Sequence, residues 1–577
     1  MIRRLLKCVR EYKRDTILTP LTIMVEAIIE CIIPILMAMI VDKGIKNSDL
    51  RFTLIIGGAM VLLTGVSLFF GILAGKFSAQ AASGFAKNVR HDMFENIQRF
   101  SFSNIDKFST PSLIIRLTTD LTFVKDAFHM IIRILFRAPA LFIFSLIMTF
   151  SISPMLSLIF LIVGPLLALG LYVIIIKAHP IFEKVFKKYD LLDEAVQENL
   201  RSMRTVKSFV REEYEANKFK ERNQEIYQNF VKAEKILAFN LPIMQGSMYI
   251  CILLISWIGA HLITSSSMTT GQLMSMFTYT MQILMALIMV SNVFVMVIIS
   301  RASAERIVEV LDEKSDLENP ENGIKTVDNG DIVFDNVSFS YAGDKNKLCL
   351  KNLNLHIKSG QVIGIIGSTG SAKTSFVQLL PRLYDVTEGR LLIAGHDVRE
   401  YDLESLRHAV AIVLQKNVLF SGSIKENLRW GNENATDDEI KKACQLACID
   451  DFVEGLENQY DTYIEQGGSN VSGGQRQRLC IARAILTKPK ILILDDSTSA
   501  VDTKTDARIR KAFKTELANT TKLIIAQRAA SVMDADQIVV LDNGTINAVG
   551  THEQLLDSCV IYKEVYTSQL KGASLSE

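Results

Sequence analysis

The sequence predicts an all-α six-helix transmembrane domain with long helical extensions, followed by an α/β domain built on a phosphate-binding loop. Three observations predict it. Apolar runs of bilayer-spanning length occur six times before Ser300 and not after it. Two connections between those runs are long, charged and helical in period. Further on, the buried-strand pattern QVIGII leads into GSTGSAKTS and then into a segment able to start a helix, SFVQLLPRLY. The chain has 577 residues, too many for one ordinary core, and 49% of them are apolar. A net charge of +1 gives no reason to expect nucleic acid as a partner.

The spans are read as Ile17 to Val41, Thr53 to Ala74, Ile131 to Phe150, Pro154 to Ile176, Ile236 to Ile263 and Leu273 to Ile299. The basic amphipathic N-terminus, MIRRLLKCVREYKR, reads as an interfacial helix leading into the first span. The second and fourth connections, Gly75 to Met130 and Lys177 to Lys235, carry many Lys and Arg, whereas Ser151 to Ser153 and Thr264 to Gln272 carry no charge. The positive-inside rule makes the basic connections, the N-terminus and the C-terminal half cytoplasmic. Each long connection reads as a helix pair, with turns expected near Ser109 to Ser112 and near Ser208 to Glu215. The domain limits are 1–313 for the membrane part, 314–330 for a polar linker and 331–577 for the soluble part.

Charged residues inside spans are costly and need a reason. Glu26 and Glu30 lie one helical turn apart in the first span, and Arg133 and Arg137 one turn apart in the third. They form either the polar wall of a cavity that attracts cations or moves protons, or a set that neutralises itself between packed helices. Met281 and Met285 share a face of the last span with Met289, and flexible thioethers suit both adaptable contact and simple packing. The eight cysteines have no zinc-type spacing and no disulfide framework, so Cys444 and Cys448 read as a packed pair.

In the soluble half, Gly367, Ser368, Thr369, Gly370, Ser371, Ala372, Lys373, Thr374 and Ser375 form the near-match to GxxxxGK[ST]. In that motif backbone N–H groups cradle phosphate oxygens, the Lys reaches the terminal phosphates and the hydroxyl ligates magnesium. Around it, in order, stand Tyr341 at a strand end, Gln415 in AIVLQKNVLF, SGGQ at Ser472 to Gln475, ILILDD ending in Asp495 and Asp496, and Gln527 in LIIAQRAASV. A single such motif can be accidental; this ordered set, joined to six spans, is not.

The whole chain resembles a half-transporter of the ABC exporter family. The resemblance implies an ATP-driven exporter of the plasma (inner) membrane, acting on a small-molecule, lipid or peptide substrate among membrane lipid, with ATP and Mg2+ as cofactors. Tyr341 matches the adenine-stacking aromatic and Gly367 to Thr374 the Walker A loop. Thr374, Gln415 and Asp495 match the magnesium-associated residues. Ser472, Gly473, Gly474 and Gln475 match the signature that closes on the other subunit's ATP, and Ser499, Ala500 and Asp502 match the D-loop. Three positions depart from the family. Asp496 stands where the general-base Glu is expected, Gln527 where a His is expected, and Ala372 where a Gly precedes the lysine. Asp is one methylene short of the attacking water, Gln carries no positive charge, and Ala pays for any positive φ. This combination resembles the degenerate subunit of a heterodimeric exporter, whose partner is a second half-transporter. A slow homodimer and an ATP-gated regulator that transports nothing are the alternatives.

Overall fold

The computed structural model describes residues 1–496 and 501–574. The chain forms two compact units: residues 1–98 with 109–313, and residues 99–108 with 314 onward. The fold class is the one the sequence predicts, a helical domain followed by an α/β domain.

In the helical unit, six helical stretches among the described residues are long and apolar enough to cross a membrane. They are Arg10–Ile45, Leu50–Gln98, Thr110–Ile152, Pro154–Ala178, Glu212–Thr264 and Thr270–Asp312. The helix Leu50–Gln98 has 49 residues and Pro154–Arg201 has 48. At 1.5 Å per residue each is roughly 70 Å long, more than twice a hydrocarbon core of about 30 Å. Their outer parts are therefore the predicted extensions. The first reversal begins earlier than the sequence expectation, and the second ends within it, at residues 209–211. The first is built by the short helix Phe102–Phe108, with Ser109 at φ 55° beyond it. The second is built by Met203–Ser208, with Val210 at φ 52°. Ser109 does not end that turn as a coil but opens the next helix, because Pro111 fits a first turn where no N–H is needed.

Polar groups lock the helices where apolar packing alone would let them slide. The Asp42 carboxylate accepts the Gly271 N–H at 2.9 Å and the Thr269 hydroxyl, and so caps the last helix, Thr270–Asp312. A Cβ on Gly271 would lie 2.5 Å from the Ala38 carbonyl oxygen, so only glycine allows this approach. Lower down, Asp120 is buried at the end of a π-helical turn, Arg116–Asp120. It accepts from Arg306 Nε at 2.7 Å and from the Ser303 hydroxyl at 2.8 Å. The N-terminal segment is held by its own bonds, Arg10 to Asp92 at 2.8 Å and Asn88 Nδ2 to the Cys8 carbonyl at 3.0 Å.

The described residues of the second unit form twelve strands: β1 Ile332–Phe339, β2 Leu350–Ile357, β3 Val362–Gly367, β4 Glu388–Ile393, β5 His396–Asp397, β6 Val410–Val413, β7 Gly422–Ser423, β8 Tyr463–Ile464, β9 Ile491–Asp495, β10 Thr521–Ile525, β11 Gln537–Asp542 and β12 Thr545–Gly550. β2-β1-β4-β5 is an antiparallel sheet and β7 pairs with β8. The main sheet runs β12-β11-β3-β10-β9-β6, parallel except for β12. Every residue of β9 and β10 is buried, the signature of strands covered on both faces. Residues 99–108 pack on this unit: Asp106 accepts the Tyr384 hydroxyl at 2.8 Å, and Asn104 Nδ2 donates to the Lys314 carbonyl at 3.0 Å.

Arg306→Met should leave the buried Asp120 carboxylate with Ser303 as its remaining side-chain donor of the pair described. We expect a loss on the order of 3 kcal/mol in thermal or denaturant unfolding of the purified protein, with Arg306→Lys recovering part of it.

Candidate functional site

The main site lies at the carboxyl ends of the parallel strands. Ile525 of β10 is in register with Ile365 of β3 on one side and Asp495 of β9 on the other. β9 and β10 end level there and β3 runs two residues further, to Gly367, so the segments that follow all leave from the same edge of the sheet. Such a line of strand ends is the usual ligand crevice of an α/β sheet.

After β3, Gly367 must be glycine, since a Cβ there would sit 2.2 Å from the Leu541 carbonyl oxygen. Ser368 and Thr369 are exposed, Gly370 has φ 86°, and Ser371 is buried, its N–H bonded to the Ser368 carbonyl at 3.2 Å. Ala372 then takes the left-handed conformation, φ 67° and ψ 27°, immediately before the helix Lys373–Gln378. The strain considered from sequence is thus present in the fold. Lys373 Nζ folds back onto the loop, donating to the carbonyls of Gly367 at 2.9 Å and Ser368 at 2.8 Å. Burial pulls its ammonium below the ordinary lysine range, while Asp495 and Asp496 act in the opposite direction.

The carboxylates face this loop. Asp495 ends β9, is buried, and its Oδ2 has no hydrogen-bond partner among the described residues. Burial first, and then the neighbouring Asp496, push its carboxyl above the usual range, against a Thr374 hydroxyl bond that pulls it down. Asp496 stands at φ 48°, a conformation Asp tolerates, with its N–H bonded to the Ile525 carbonyl at 3.1 Å. Its Oδ2 accepts Nε2 of Gln527 at 2.8 Å, and Gln415 bonds the same carboxylate. Burial raises the Asp496 carboxyl, and Lys373 and these amides oppose the rise. The loop, both aspartates, Gln415 and Gln527 are therefore one cluster.

Tyr341 stands beside it, half exposed, its hydroxyl bonded to Ser375 at 2.8 Å and to Gln378 at 3.2 Å. Ser375 is thus spent on Tyr341. Tyr384, absent from the sequence reading, meets the Tyr341 ring edge-on at 5.1 Å. Gln569, 42 residues after Gln527, was also missed. Its amide donates to the Gln527 carbonyl and accepts the Ala529 N–H, both at 2.8 Å. No periodicity links positions so far apart, so nothing in the sequence marked it.

The SGGQ stretch is elsewhere on the unit. Ser472 caps the 14-residue helix Gly473–Leu486 in a reciprocal box with Gln475, which leaves Ser472 and Gly473 exposed at a helix N-terminus. Ser499 and Ala500 lie outside the described residues. Asp502 caps the following helix through the Thr505 N–H at 2.9 Å.

In the helical unit, Arg137 bridges both glutamates, Nη1 to Glu26 at 3.0 Å and Nη2 to Glu30 at 2.9 Å. Glu30, Arg137, Met281 and Met285 line one cavity of about 310 Å³. Glu26 lies behind, near Gly71, and Arg133 is not part of the lining. The cavity also takes in Met244, Met248, Gln245 and Gln282, which the sequence reading passed over. A glutamine inside an apolar span was the available signal for the last two.

Residues 16–287 match the family described as ABC transporter transmembrane region, and residues 350–499 the family described as ABC transporter. The chain is 37% identical over 544 residues to the uncharacterized ABC transporter ATP-binding protein YfiB of Bacillus subtilis, covering 94% of each. It is 34% identical over 576 residues to Rv1273c of Mycobacterium tuberculosis, covering 98% of each, and 32% identical over 573 residues to YknU of Bacillus subtilis, covering 98% of this chain and 96% of that one. Both relatives are likewise named as uncharacterized ABC transporter ATP-binding proteins.

Because Ala372 occupies a left-handed position, Ala372→Gly should stabilise the nucleotide-free protein by about 1 kcal/mol. Thermal unfolding of the two proteins side by side measures it, and an unchanged midpoint would show that the alanine carries no strain.

Proposed function

The chain belongs to the ABC transporter family, and from that membership we propose that it is one half of a heterodimeric exporter of small or amphipathic substrates. In this reading its own ATP site mainly binds, and its SGGQ helix completes the site of a different partner subunit. The observation that carries it is the Gln527 to Asp496 hydrogen bond at 2.8 Å.

A general base must point a free lone pair at the attacking water. Asp496 is a methylene shorter than glutamate, and its carboxylate is engaged by two glutamine amides. Gln527 donates a hydrogen bond but adds no positive charge where charge develops on a transferring phosphoryl group. Binding is better provided for. The loop N–H groups from Gly370 onward and Lys373, released from its two carbonyls, would hold the phosphates, with the exposed face of Tyr341 against the base. Thr374, the orphaned Oδ2 of Asp495 and Gln415 fit Mg2+, directly or through water. Bound there, Mg2+ would neutralise charge on the β- and γ-phosphates.

The exposed N-terminus of Gly473–Leu486 suits an anion presented from outside this chain, which supports a second subunit as its source. Two ATP molecules held between the subunits would favour the closed pair of soluble domains, and the membrane halves would follow. The charge bias of the basic connections supports a cytoplasmic N-terminus and nucleotide domain, in keeping with a plasma (inner) membrane exporter.

Purified alone, the chain should hydrolyse ATP slowly, and the pair Asp496→Glu with Gln527→His should raise its rate at least about tenfold in the assembled dimer. In that dimer, Gly474→Asp in this chain should remove most ATPase activity, whereas Asp496→Ala should remove little. Brisk hydrolysis by the chain alone, untouched by Asp496→Ala, would overturn the reading.

A further inference from the structure

The cavity in the helical unit has an unbalanced charge at one end. Two carboxylates share one guanidinium, a formal charge of −1 for the set Glu26, Glu30 and Arg137. The excess is not spread evenly. The Glu26 side chain is 15% exposed, whereas that of Glu30 is 38% exposed and belongs to the cavity wall. Arg137 is pinned through both Nη groups and cannot turn toward an incoming anion without stripping a carboxylate of its partner.

The groups around Glu30 reinforce this polarity. Gln282 donates to the Glu30 carbonyl at 3.2 Å and accepts the Ser145 hydroxyl at 2.9 Å, so its amide is committed to holding helices together. Beyond it the wall is thioether and aliphatic except for the neutral amide of Gln245: Met244 and Met248 stand one turn apart on one helix, and Met281, Met285 and Met289 on another. Such side chains re-pack around varied apolar bodies. A cation entering from water loses hydration, and Glu30 returns part of it. An anion loses hydration and gains repulsion, and a neutral body gains neither.

We propose that this wall selects amphipathic monocations, the charged head against Glu30 and the apolar body among the methionines. The assignment rests on the exporter reading for its role in transport, but the charge preference is a property of the cavity itself. Its volume of about 310 Å³ falls within the range of small-molecule sites.

Tetraphenylphosphonium and tetraphenylborate share size and shape and differ in sign. Binding of each to the full-length chain in phospholipid nanodiscs, measured by equilibrium dialysis against empty nanodiscs, should favour the phosphonium at least about tenfold. Glu30→Gln should weaken phosphonium binding about tenfold and collapse the ratio, and Glu30→Asp should keep it. Met285→Lys, at a half-exposed wall position, should reverse the preference and gives a second test independent of folding around Glu30. Equal binding of the two ions, or a ratio that survives Glu30→Gln, would overturn the proposal. In inverted vesicles containing the assembled dimer with measured ATPase activity, absence of ATP-driven phosphonium uptake, with the binding preference intact, would overturn the transport role of this cavity and leave its selectivity standing.

Discussion

The parallel register of β3, β10 and β9 is the constraint on which the α/β unit depends. Parallel pairing in this register brings Gly367, Gln527 and the Asp495–Asp496 pair to one edge, although they are far apart in sequence. A slip of one residue would exchange the two covered faces of β9 and β10, misfit both layers packed on them and separate the loop from the carboxylates. The bonds from Ala526 N to the Ile365 carbonyl and from Asp496 N to the Ile525 carbonyl continue the pairing past the strands proper. They fix the first residue of each functional segment by backbone geometry, before any side chain contributes.

That dependence explains what could be read in advance. The phosphate loop, the aspartates and the six apolar helices were legible because each is a local pattern with a local physical cause. A tight turn needs glycine, a covered strand needs an unbroken apolar run, and a span needs length. The partners within the membrane unit were not legible. Helical spacing puts Glu26 and Glu30 on one face and Arg133 and Arg137 on another, but it does not say that Arg137 alone bridges both glutamates. Nor does it register the start of the first turn, which a short helix, Phe102–Phe108, builds ahead of Ser109. Tyr384 and Gln569 act through tertiary contact, and their neighbours in sequence carry no trace of it.

The three departures at the ATP site differ in physical kind. Ala372 acts on the backbone: its cost is conformational and is present whether or not nucleotide is bound. Asp496 and Gln527 act on each other. A histidine beside a glutamate would form a charged pair when protonated, whereas an amide beside a shorter carboxylate gives a neutral donor and a well-satisfied acceptor. Each replacement makes the other less disruptive, since aspartate alone would face histidine across a longer gap. On the proposed reading the two positions changed as a unit, from one that activates water to one that holds itself closed.

A site that holds nucleotide without turning it over can still contribute to movement. What shifts a two-state equilibrium is the difference in affinity between the states, and hydrolysis is needed only to reset it. If one of two sites resets slowly, the soluble domains need not separate fully in each cycle, and the partner's site can run the cycle against a retained contact. The clamp of Gln569 on the backbone of Gln527 and Ala529 suits such a role, because it holds the segment facing the nucleotide through main-chain atoms and is indifferent to the side chain at 527. The charge at Glu30 is fixed in the same way, by a guanidinium committed at both ends. In both units, then, the group facing the ligand is held by partners that bond it or its backbone through two atoms at once, which ties ligand selection to the fold.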